Sequence, residues 1–473
     1  MNRVAIALGS NLGDRTKNLA TALKRLQAEY GEQITVEKVS RLYESAPQYV
    51  TDQPAFLNAA AEVKTTLSPL SLLSALKTIE KDLGRSFGAD QIRWGPRPID
   101  LDIIFYEEEQ VLEGDGQLIV PHPRWQERDF VKAPLADLTP SVGDAVPRGL
   151  DKALIAAKNL WNDQGGERAL KRYSKDAQLS CVLPLGPMDT WSWSHQTSVM
   201  GILNVTPDSF SDGGQHVNVD HAISAAFDMV SDGADIIDIG GQSTRPGATQ
   251  IDPDEEWKRV EPVIKAIRSE PSLLSVPISI DTFYSDVADK AVAAGANIVN
   301  DVSGGTADPR MFRAVADMDV TYILMHMRGT PKTMQNSENV QYTNVCEDVA
   351  AALEASCRAA VEEGIESWRI VLDPGIGFAK NHEGNVDLVA HLPRLRSCIA
   401  EPYKNLPILL GPSRKKFLGT LIERESGPPM ERDWATCAIS AISAMRGANI
   451  IRAHNVRAAK DATMVSDGIM QHL

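Results

Sequence analysis

The chain has 473 residues, 43% hydrophobic and 23% charged, with a formal net charge of -15. That length exceeds one ordinary domain, so two are expected. The acidic balance argues against non-specific nucleic-acid binding, and no apolar run approaches the ~20 residues needed to cross a bilayer.

The N-terminus enters the apolar run Val4–Leu8 almost at once, without a charged leader and apolar core. The expectation is a cytoplasmic protein, or a mitochondrial-matrix one where a transit peptide precedes these residues. Five scattered cysteines without metal-ligand spacing are expected to be reduced thiols.

Val4–Leu8 reads as a strand followed by GSNLGDR, where Asp14 caps a helix bearing Leu19, Leu23 and Leu26. Gly9 and Gly13 suggest a phosphate loop, but the Gly-Lys-Ser/Thr ending is missing. Ile34–Tyr43 and Phe56–Val63 read as strands around a loop from Pro47 to Pro54. Leu67–Leu83 reads as a helix opened by Ser68 and Pro69.

In RWGPRPIDLDIIFY, Asp100 and Asp102 are two apart on a strand, so both carboxylates share one face. Such a pair suits Mg²⁺, which takes carboxylate and phosphate oxygens. Arg93 and Arg97 precede the pair and can neutralise phosphate. The competing reading, a solvated acidic edge, conflicts with the apolar Ile99, Leu101, Ile103 and Ile104. Glu80, Arg85, His122 and Arg128 add polar groups on neighbouring elements.

Together GSNLGDR, DQPAFLNAA, IEKDLGR, RWGPRPIDLDIIFY and VPHPRWQERDFV resemble hydroxymethyl-dihydropterin pyrophosphokinase over residues 1–160. The resemblance implies a ferredoxin-like α+β fold and pyrophosphoryl transfer from ATP to a pterin alcohol. By motif it places two Mg²⁺ ions on Asp100 and Asp102. It places ATP against Glu80, Arg85, Arg93, Arg97, His122 and Arg128, and the pterin against Pro47, Phe56, Asn58 and Phe130. Two departures stand out: 86–92 lacks the basic residues of some relatives, and Gln48 follows Pro47 where an apolar residue is common.

From Asp144 to His195 the chain is polar and irregular, with a short helix expected at Lys152–Trp161. The division read from this is 1–165, a linker at 166–195 that packs partly on the second domain, and 196–473.

The second domain repeats one grammar. MGILNV, ADIIDIGG, VPISIDT, NIVNDVS, TYILMHM, RIVLDPG, PILLGPS and NIIRAHN are apolar runs, separated by helical patterns such as Asp220–Asp232, Glu255–Ile267 and Asp286–Ala294. This alternation predicts a (β/α)₈ TIM barrel. The run ends supply Asn204, Thr244, Arg245, Asp281, Asn300, Met325, His326, Asp373, Ser413, Lys415, Arg452 and His454. A barrel without a binding mouth has no need of so many polar strand ends. Asp281, Asn300 and Asp373 suit the donor–acceptor edge of an aminopyrimidinone, and Lys415, Arg452 and His454 suit a diphosphate.

MGILNVTPDSFSDGG, DIGGQSTRPGA, ISIDT, NDVSGG, LMHMRGTPKTMQ, LDPGIGFAK, GPSRKKFLG and RAHNV closely resemble dihydropteroate synthase over 196–473. The resemblance implies that Asp281, Asn300, Met325, Asp373 and Lys415 bind pterin. It implies diphosphate and Mg²⁺ at Asn204, Thr244, Arg245, Arg452 and His454, and p-aminobenzoate at Thr244, Arg245, Phe378 and Ser413. Gln242 and Asn455 stand where many bacterial members have acids. The fused order is similar to a folate-pathway pair in plants and some protists, which implies a homodimer or higher oligomer through barrel helices. One active domain joined to a non-catalytic pterin-binding or regulatory module is the alternative; loss of Asp100 or Lys415 would mark it, and neither is lost. A pterin-dependent methyltransferase barrel is disfavoured by SRKK and RAHN.

Overall fold

A computed structural model describes residues 1–87, 92, 94–113, 116, 118–140, 147–170, 178–186, 189–206, 215–243 and 247–472. The chain divides into two units, Met1–His195 with Ala400–Asn405, and Gln196–Ile399 with Leu406–Leu473.

The first unit is built on an antiparallel sheet of β1 (Asn2–Ser10), β2 (Ile34–Val39), β3 (Leu42–Ser45), β4 (Phe56–Thr65) and β5 (Asp100–Tyr106), as expected for α+β. A small hairpin, β6 (Val111–Glu113) with β7 (Leu118–Val120), follows. The expected strand Ile34–Tyr43 is split at Ser40 and Arg41. The Ser40 hydroxyl accepts from Ala60 N at 2.9 Å and Ser40 N donates to Ala60 O at 2.9 Å, so both pieces still follow β4.

Helices Asp129–Asp137 and Leu150–Asp163 bury Val131, Leu135, Leu150 and Leu154 against Ala5, Ala60 and Ile104 of the sheet. The register shift between Ala5 and Ile6 opposite β5 turns both Ile104 and Phe105 into that layer. Helix Arg15–Tyr30 starts at the predicted cap, where the Asp14 side chain accepts from Lys17 N at 3.0 Å. Helix Pro69–Asp82 starts after Ser68, with Pro69 in its first turn.

The segment read as a linker contributes to this sheet instead. β8 (Leu179–Pro184) pairs antiparallel with β3, burying Cys181, Val182 and Leu183, and β9 (Thr190–Ser192) pairs with β8. Its apolar run LSCVLP fits the open side of β3. Arg41 fastens the preceding helix Gly166–Leu170 through Glu167 at 2.5 Å while pairing with Asp137 at 2.7 Å.

The second unit is the expected barrel. β10 (Ser198–Asn204), β11 (Ile236–Gly240), β12 (Ile278–Asp281), β13 (Ile298–Asp301), β14 (Thr321–Met325), β15 (Ile370–Asp373), β16 (Leu409–Leu410) and β17 (Ile450–Ala453) form an 8-stranded parallel sheet. It runs β15-β14-β13-β12-β11-β10-β17-β16. One bridge, Leu372 with Ile408, links β15 to the start of β16. Helix Pro253–Ser269 shows how the alternation is enforced: Asp252 caps Glu255 N at 2.9 Å, and Val260, Val263, Ile264 and Ile267 form the buried stripe. Among the described residues no helix is long and apolar enough to cross a membrane.

Candidate functional site

The first cavity lies over the sheet on the side of helix Asp129–Asp137. It is lined by Ala7, Gly9, Phe56, Asn58, Arg97, Asp100, Asp102, Arg128 and Phe130 among others. Register explains the grouping. Gly9 sits between Asn58 on β4 and Asp100 on β5, and Ala7 sits between Ala60 and Asp102. Two small residues thus floor a trough with an amide on one wall and two carboxylates on the other. A Cβ on Gly9 would lie 3.6 Å from Asn58 Oδ1 and 3.9 Å from Asp100 Cβ.

Asn58 is held rigid. Its amide donates to Ser45 Oγ at 2.9 Å and Tyr43 O at 3.2 Å. Arg97 donates to Asp100 Oδ2 at 3.1 Å, and its backbone N donates to Asn11 Oδ1 at 2.7 Å. Arg85 pairs with Asp100 and with Glu80 at 2.8 Å. Burial works to raise the Asp100 carboxyl, but Arg85 and Arg97 outweigh it and hold it below its ordinary value. Asp102 is pushed up by burial and by the Asp100 charge, and its ion pair with Lys77 is long at 3.9 Å. Burial lowers the His122 imidazole from its ordinary value, against the pull of Asp102, and its Nδ1 accepts from Arg124 N at 3.2 Å. Asp102, which no cation among the described residues meets closely, offers with Asp100 two carboxylates on one face, which fits a divalent cation whose other ligands are phosphate and water. No cluster of three or more His, Cys, Asp or Glu that could hold a metal occurs among the described residues.

The expected ATP contact Glu80 lies elsewhere. Its side chain is wholly buried, accepting from Leu101 N at 2.6 Å, Lys77 at 2.8 Å and Arg85, so it supports the carboxylate strand from within. Pro47 is half-buried and does not line the cavity, whereas Ala46 and Gln48 do. Arg128 sits 5.7 Å over the Phe130 ring. Arg93 lies outside the described residues. Sequence reading missed Tyr49 and Trp94, whose rings pack 4.6 Å apart under the Arg124 guanidinium, both with left-handed φ (68° and 63°). Aromatic residues in two separate loops gave no spacing signal.

The second site is the mouth of the barrel. Asp281 (β12), Asn300 (β13), Met325 (β14), Asp373 (β15) and Arg452 (β17) stand at strand ends. Arg452 Nη2 donates to Asp281 Oδ2 at 2.7 Å and its Nε donates to Asp238 at 2.6 Å. Asp238 also accepts from Asn300 at 3.3 Å. Asp281 Oδ1 is buried without a hydrogen-bond partner. Burial pushes Asp281 up to about 7 against the pull of Arg452, and Asp373 up to about 6 although Gly375 N donates to it at 2.7 Å.

Met325 packs with Phe283 and Val302, with Phe378 at the edge of the cluster. Lys415 Nζ lies 4.0 Å over the Phe378 ring. Gly377, at φ +82°, lets the Lys415 stem cross, since a Cβ there would come 2.7 Å from Lys415 Cδ. Ser413 and His454 share a 2.9 Å hydrogen bond. Asn204 ends β10, and its Oδ1 would lie 3.6 Å from a Cβ on Gly240; this single amide oxygen suits one ligand position among phosphate oxygens and water. Thr244 and Arg245 lie outside the described residues.

His326 is buried against Lys380, at 3.0 Å from its Nζ. Sequence reading passed over Asp238, which sits mid-strand inside DIID where the run reads as apolar, and it passed over Lys380.

Two family matches agree with this division. The family described as 7,8-dihydro-6-hydroxymethylpterin-pyrophosphokinase matches residues 5–140, and that described as pterin binding enzyme matches 200–454. A folate synthesis bifunctional protein of Arabidopsis thaliana is 48% identical, over 99% of this chain and 96% of its own length. Another from that plant, named as mitochondrial, is 48% identical over 99% of this chain and 83% of its own length. The dihydropteroate synthase of a Synechocystis strain is 43% identical over 61% of this chain and 94% of its length. The solved Yersinia pestis dihydropteroate synthase with a sulfonamide drug complex is 39% identical, covering 60% of this chain and 97% of that one at a TM-score of 0.54. The Xanthomonas albilineans enzyme with 4-aminobenzoic acid covers 59% and 95% at 39% identity and a TM-score of 0.52. With both domains present in order and the likeness running end to end, the chain belongs to the bifunctional folate synthesis proteins, a hydroxymethyl-dihydropterin pyrophosphokinase joined to a dihydropteroate synthase.

Proposed function

We propose that residues 1–165 carry the kinase chemistry and residues 196–473 the synthase chemistry, each through the side chains gathered at its cavity. The observation that carries this reading is common to both cavities: each holds carboxyls that burial pushes up, Asp102 in the first and Asp281 and Asp373 in the second.

In the first cavity Asn58 hydrogen-bonds the pterin edge while Phe56 and Phe130 flank its ring. Arg85, Arg93, Arg97, Arg128 and His122 hold ATP, with Glu80 bracing Arg85 from behind. The pterin hydroxymethyl oxygen attacks the β-phosphorus of ATP, giving the pterin diphosphate, AMP and a proton. Asp100 and Asp102 would hold Mg²⁺, which when bound neutralises and orients the transferring phosphoryl oxygens.

In the barrel mouth Asp281, Asn300, Asp373 and Lys415 bind the pterin, Asp281 through the unpartnered Oδ1, with Met325 against the ring face. Asn204, Thr244, Arg245, Arg452 and His454 hold the diphosphate. Asn204 would also ligate the Mg²⁺ of that diphosphate. The methylene C–O bond breaks, diphosphate leaves, and Asp281 and Asp373 stabilise the pterin cation. The p-aminobenzoate nitrogen, placed by Thr244, Arg245, Phe378 and Ser413, attacks that methylene and loses a proton to give dihydropteroate.

A second copy of this chain covers helices Asp433–Met445 and Val456–Met470, which pack together and expose Trp434, Ile442, Met464, Val465 and Ile469. Light scattering that gives a monomer overturns this. The compartment is the cytoplasm, or the mitochondrial matrix, a reading supported by two relatives that are named mitochondrial.

The functional test supplies hydroxymethyl-dihydropterin, ATP, Mg²⁺ and p-aminobenzoate and follows AMP and dihydropteroate separately. Asp102→Ala is expected to lose AMP formation and Lys415→Ala only dihydropteroate. A barrel that makes no dihydropteroate even from supplied pterin diphosphate refutes the synthase assignment.

A further inference from the structure

The loop after β15, Asp373 to Asn381, is folded around one ammonium group that neither reaction above uses. Lys380 is 3% exposed. Its Nζ donates to Gly375 O at 3.0 Å and to Phe378 O at 2.9 Å, and lies 3.0 Å from His326 Nδ1. An ammonium has three donors and no acceptor, so these three acceptors saturate it; a neutral amine would leave one of them unmet. His326 suits the third position because burial, with Lys380 and Arg328 adding, drives its pKa down to about 2, so the ring stays neutral with Nδ1 able to accept.

The same contacts reach the reacting groups. Gly375 N donates to Asp373 Oδ1 at 2.7 Å, and His326 N donates to Asp373 O at 2.8 Å. Gly375, at φ +71°, is pressed so close to the chain that a Cβ would fall 2.1 Å from His326 O. The Phe378 carbonyl is bound directly by Lys380, and its ring faces Lys415. The outer side of the loop is tied by Tyr342, whose hydroxyl donates to Ala379 O at 2.8 Å.

We infer that Lys380, with His326 as its third acceptor, is a positioning residue of the synthase that sets Phe378 as the wall of the p-aminobenzoate subsite and holds Gly375 against Asp373. This rests on the assignment of Phe378 to that subsite. The groups that face Lys380 are Asp373 from β15, His326 and Arg328 from the chain after β14, and Lys415 from the chain after β16. Burial lowers the Lys380 ammonium to about 7, with Asp373 opposing and Arg328 and Lys415 adding. Its protonated share therefore falls as pH rises through neutrality, and the Michaelis constant for p-aminobenzoate rises with it.

The test uses the full chain, supplied pterin diphosphate and varied p-aminobenzoate, with AMP formation and thermal unfolding as controls for folding. Lys380→Met is expected to raise KM for p-aminobenzoate roughly tenfold or more, the scale of a lost hydrogen bond to a charged group, and to flatten its rise between pH 6.5 and 8.5. His326→Leu should raise KM in the same direction, and His326→Asn, which restores an acceptor near the Nδ1 position, should recover most of it. Phe378→Ala separates the two ideas. If it leaves KM unchanged, the subsite assignment fails. If it raises KM while Lys380→Met and His326→Leu stay within twofold of the parent, or lose kcat alone, the positioning role is refuted. Should Lys380→Met not fold, the His326 pair decides: equal KM values for Leu and Asn overturn the inference.

Discussion

Replacing Arg452 by methionine removes the cation that bridges the two buried carboxylates Asp238 and Asp281. Arg452 reaches Asp238 at 2.6 Å and Asp281 at 2.7 Å, and those side chains are 0% and 7% exposed. Breaking a buried pair by deleting one partner costs about 3–5 kcal/mol, because a charge is left without compensation. The Arg452 side chain is itself 20% exposed, so water can partly replace it. We take about 3 kcal/mol, which for a domain of this size lowers Tm by about 6–12 °C.

The loss should depend on pH in a definite direction. The Asp281 carboxyl is already raised from 3.8 to about 7 by burial, with Arg452 the largest opposing influence. Without Arg452 it holds its proton to still higher pH. A carboxyl whose folded pKa lies above its unfolded value favours folding while protonated, and that advantage is lost as pH rises from the unfolded toward the folded pKa. Arg452→Met should therefore be mild near pH 5 and severe near pH 8.5. Thermal unfolding of the ligand-free full chain, following the barrel transition at both pH values, measures this. Equal Tm losses at the two pH values would falsify the electrostatic account and leave only lost packing.

Other outcomes follow from the same geometry. Gly9→Val fills the trough between Asn58 and Asp100 and should cut kinase kcat/KM by roughly a hundredfold or more, a scale reached by displacing substrate from its reacting position. Gly9→Ala, whose Cβ makes only ordinary contacts of 3.6–4.0 Å, should stay near the parent. Equal losses from both would mean that the trough does not hold substrate. Asp102→Asn should raise the Mg²⁺ concentration needed for half-maximal AMP formation by about tenfold, since a carboxylate ligand becomes a neutral amide. Dihydropteroate formation from supplied pterin diphosphate should be unaffected; an unchanged Mg²⁺ titration would remove Asp102 from the metal site. Asp301→Ala deletes the acceptor of Ser303 N (2.7 Å), Gly305 N (2.8 Å) and the Tyr322 hydroxyl (2.7 Å). It should cost about 2–4 kcal/mol of barrel stability with AMP formation intact, and urea unfolding within 0.5 kcal/mol of the parent would contradict that.

The parts legible in the sequence were those written locally. Strands β10, β12, β13 and β15 are apolar runs that stop in a polar residue, so Asp281, Asn300 and Asp373 could be placed at the mouth before their neighbours were known. The spacing of Asp100 and Asp102 fixed a common face in the same way, and the register with Ala7 and Gly9 bears that out. What escaped depends on contacts between distant residues. Asp238 meets Arg452 across 214 positions, and nothing in DIIDIGG marks that aspartate as inward-facing. Glu80 resembles a ligand by motif, yet its Oε1 takes Leu101 N and two cations inside the fold. The 179–184 run was hidden by the irregular polar chain around it, although its six residues are enough to pair with a strand as short as β3.

The barrel seam has a consequence for how substrate energy is spent. β16 is two residues long, and β15 reaches its start through the single bridge Leu372–Ile408. The residues on either side of that gap, Asp373 and Lys415, are those assigned to one pterin ring. A ligand gripping both sides laces the wall shut where its own ladder is thinnest. Part of its binding free energy therefore goes into suppressing local opening, and slower amide exchange at Leu372, Ile408 and Leu409 is where that expenditure becomes visible.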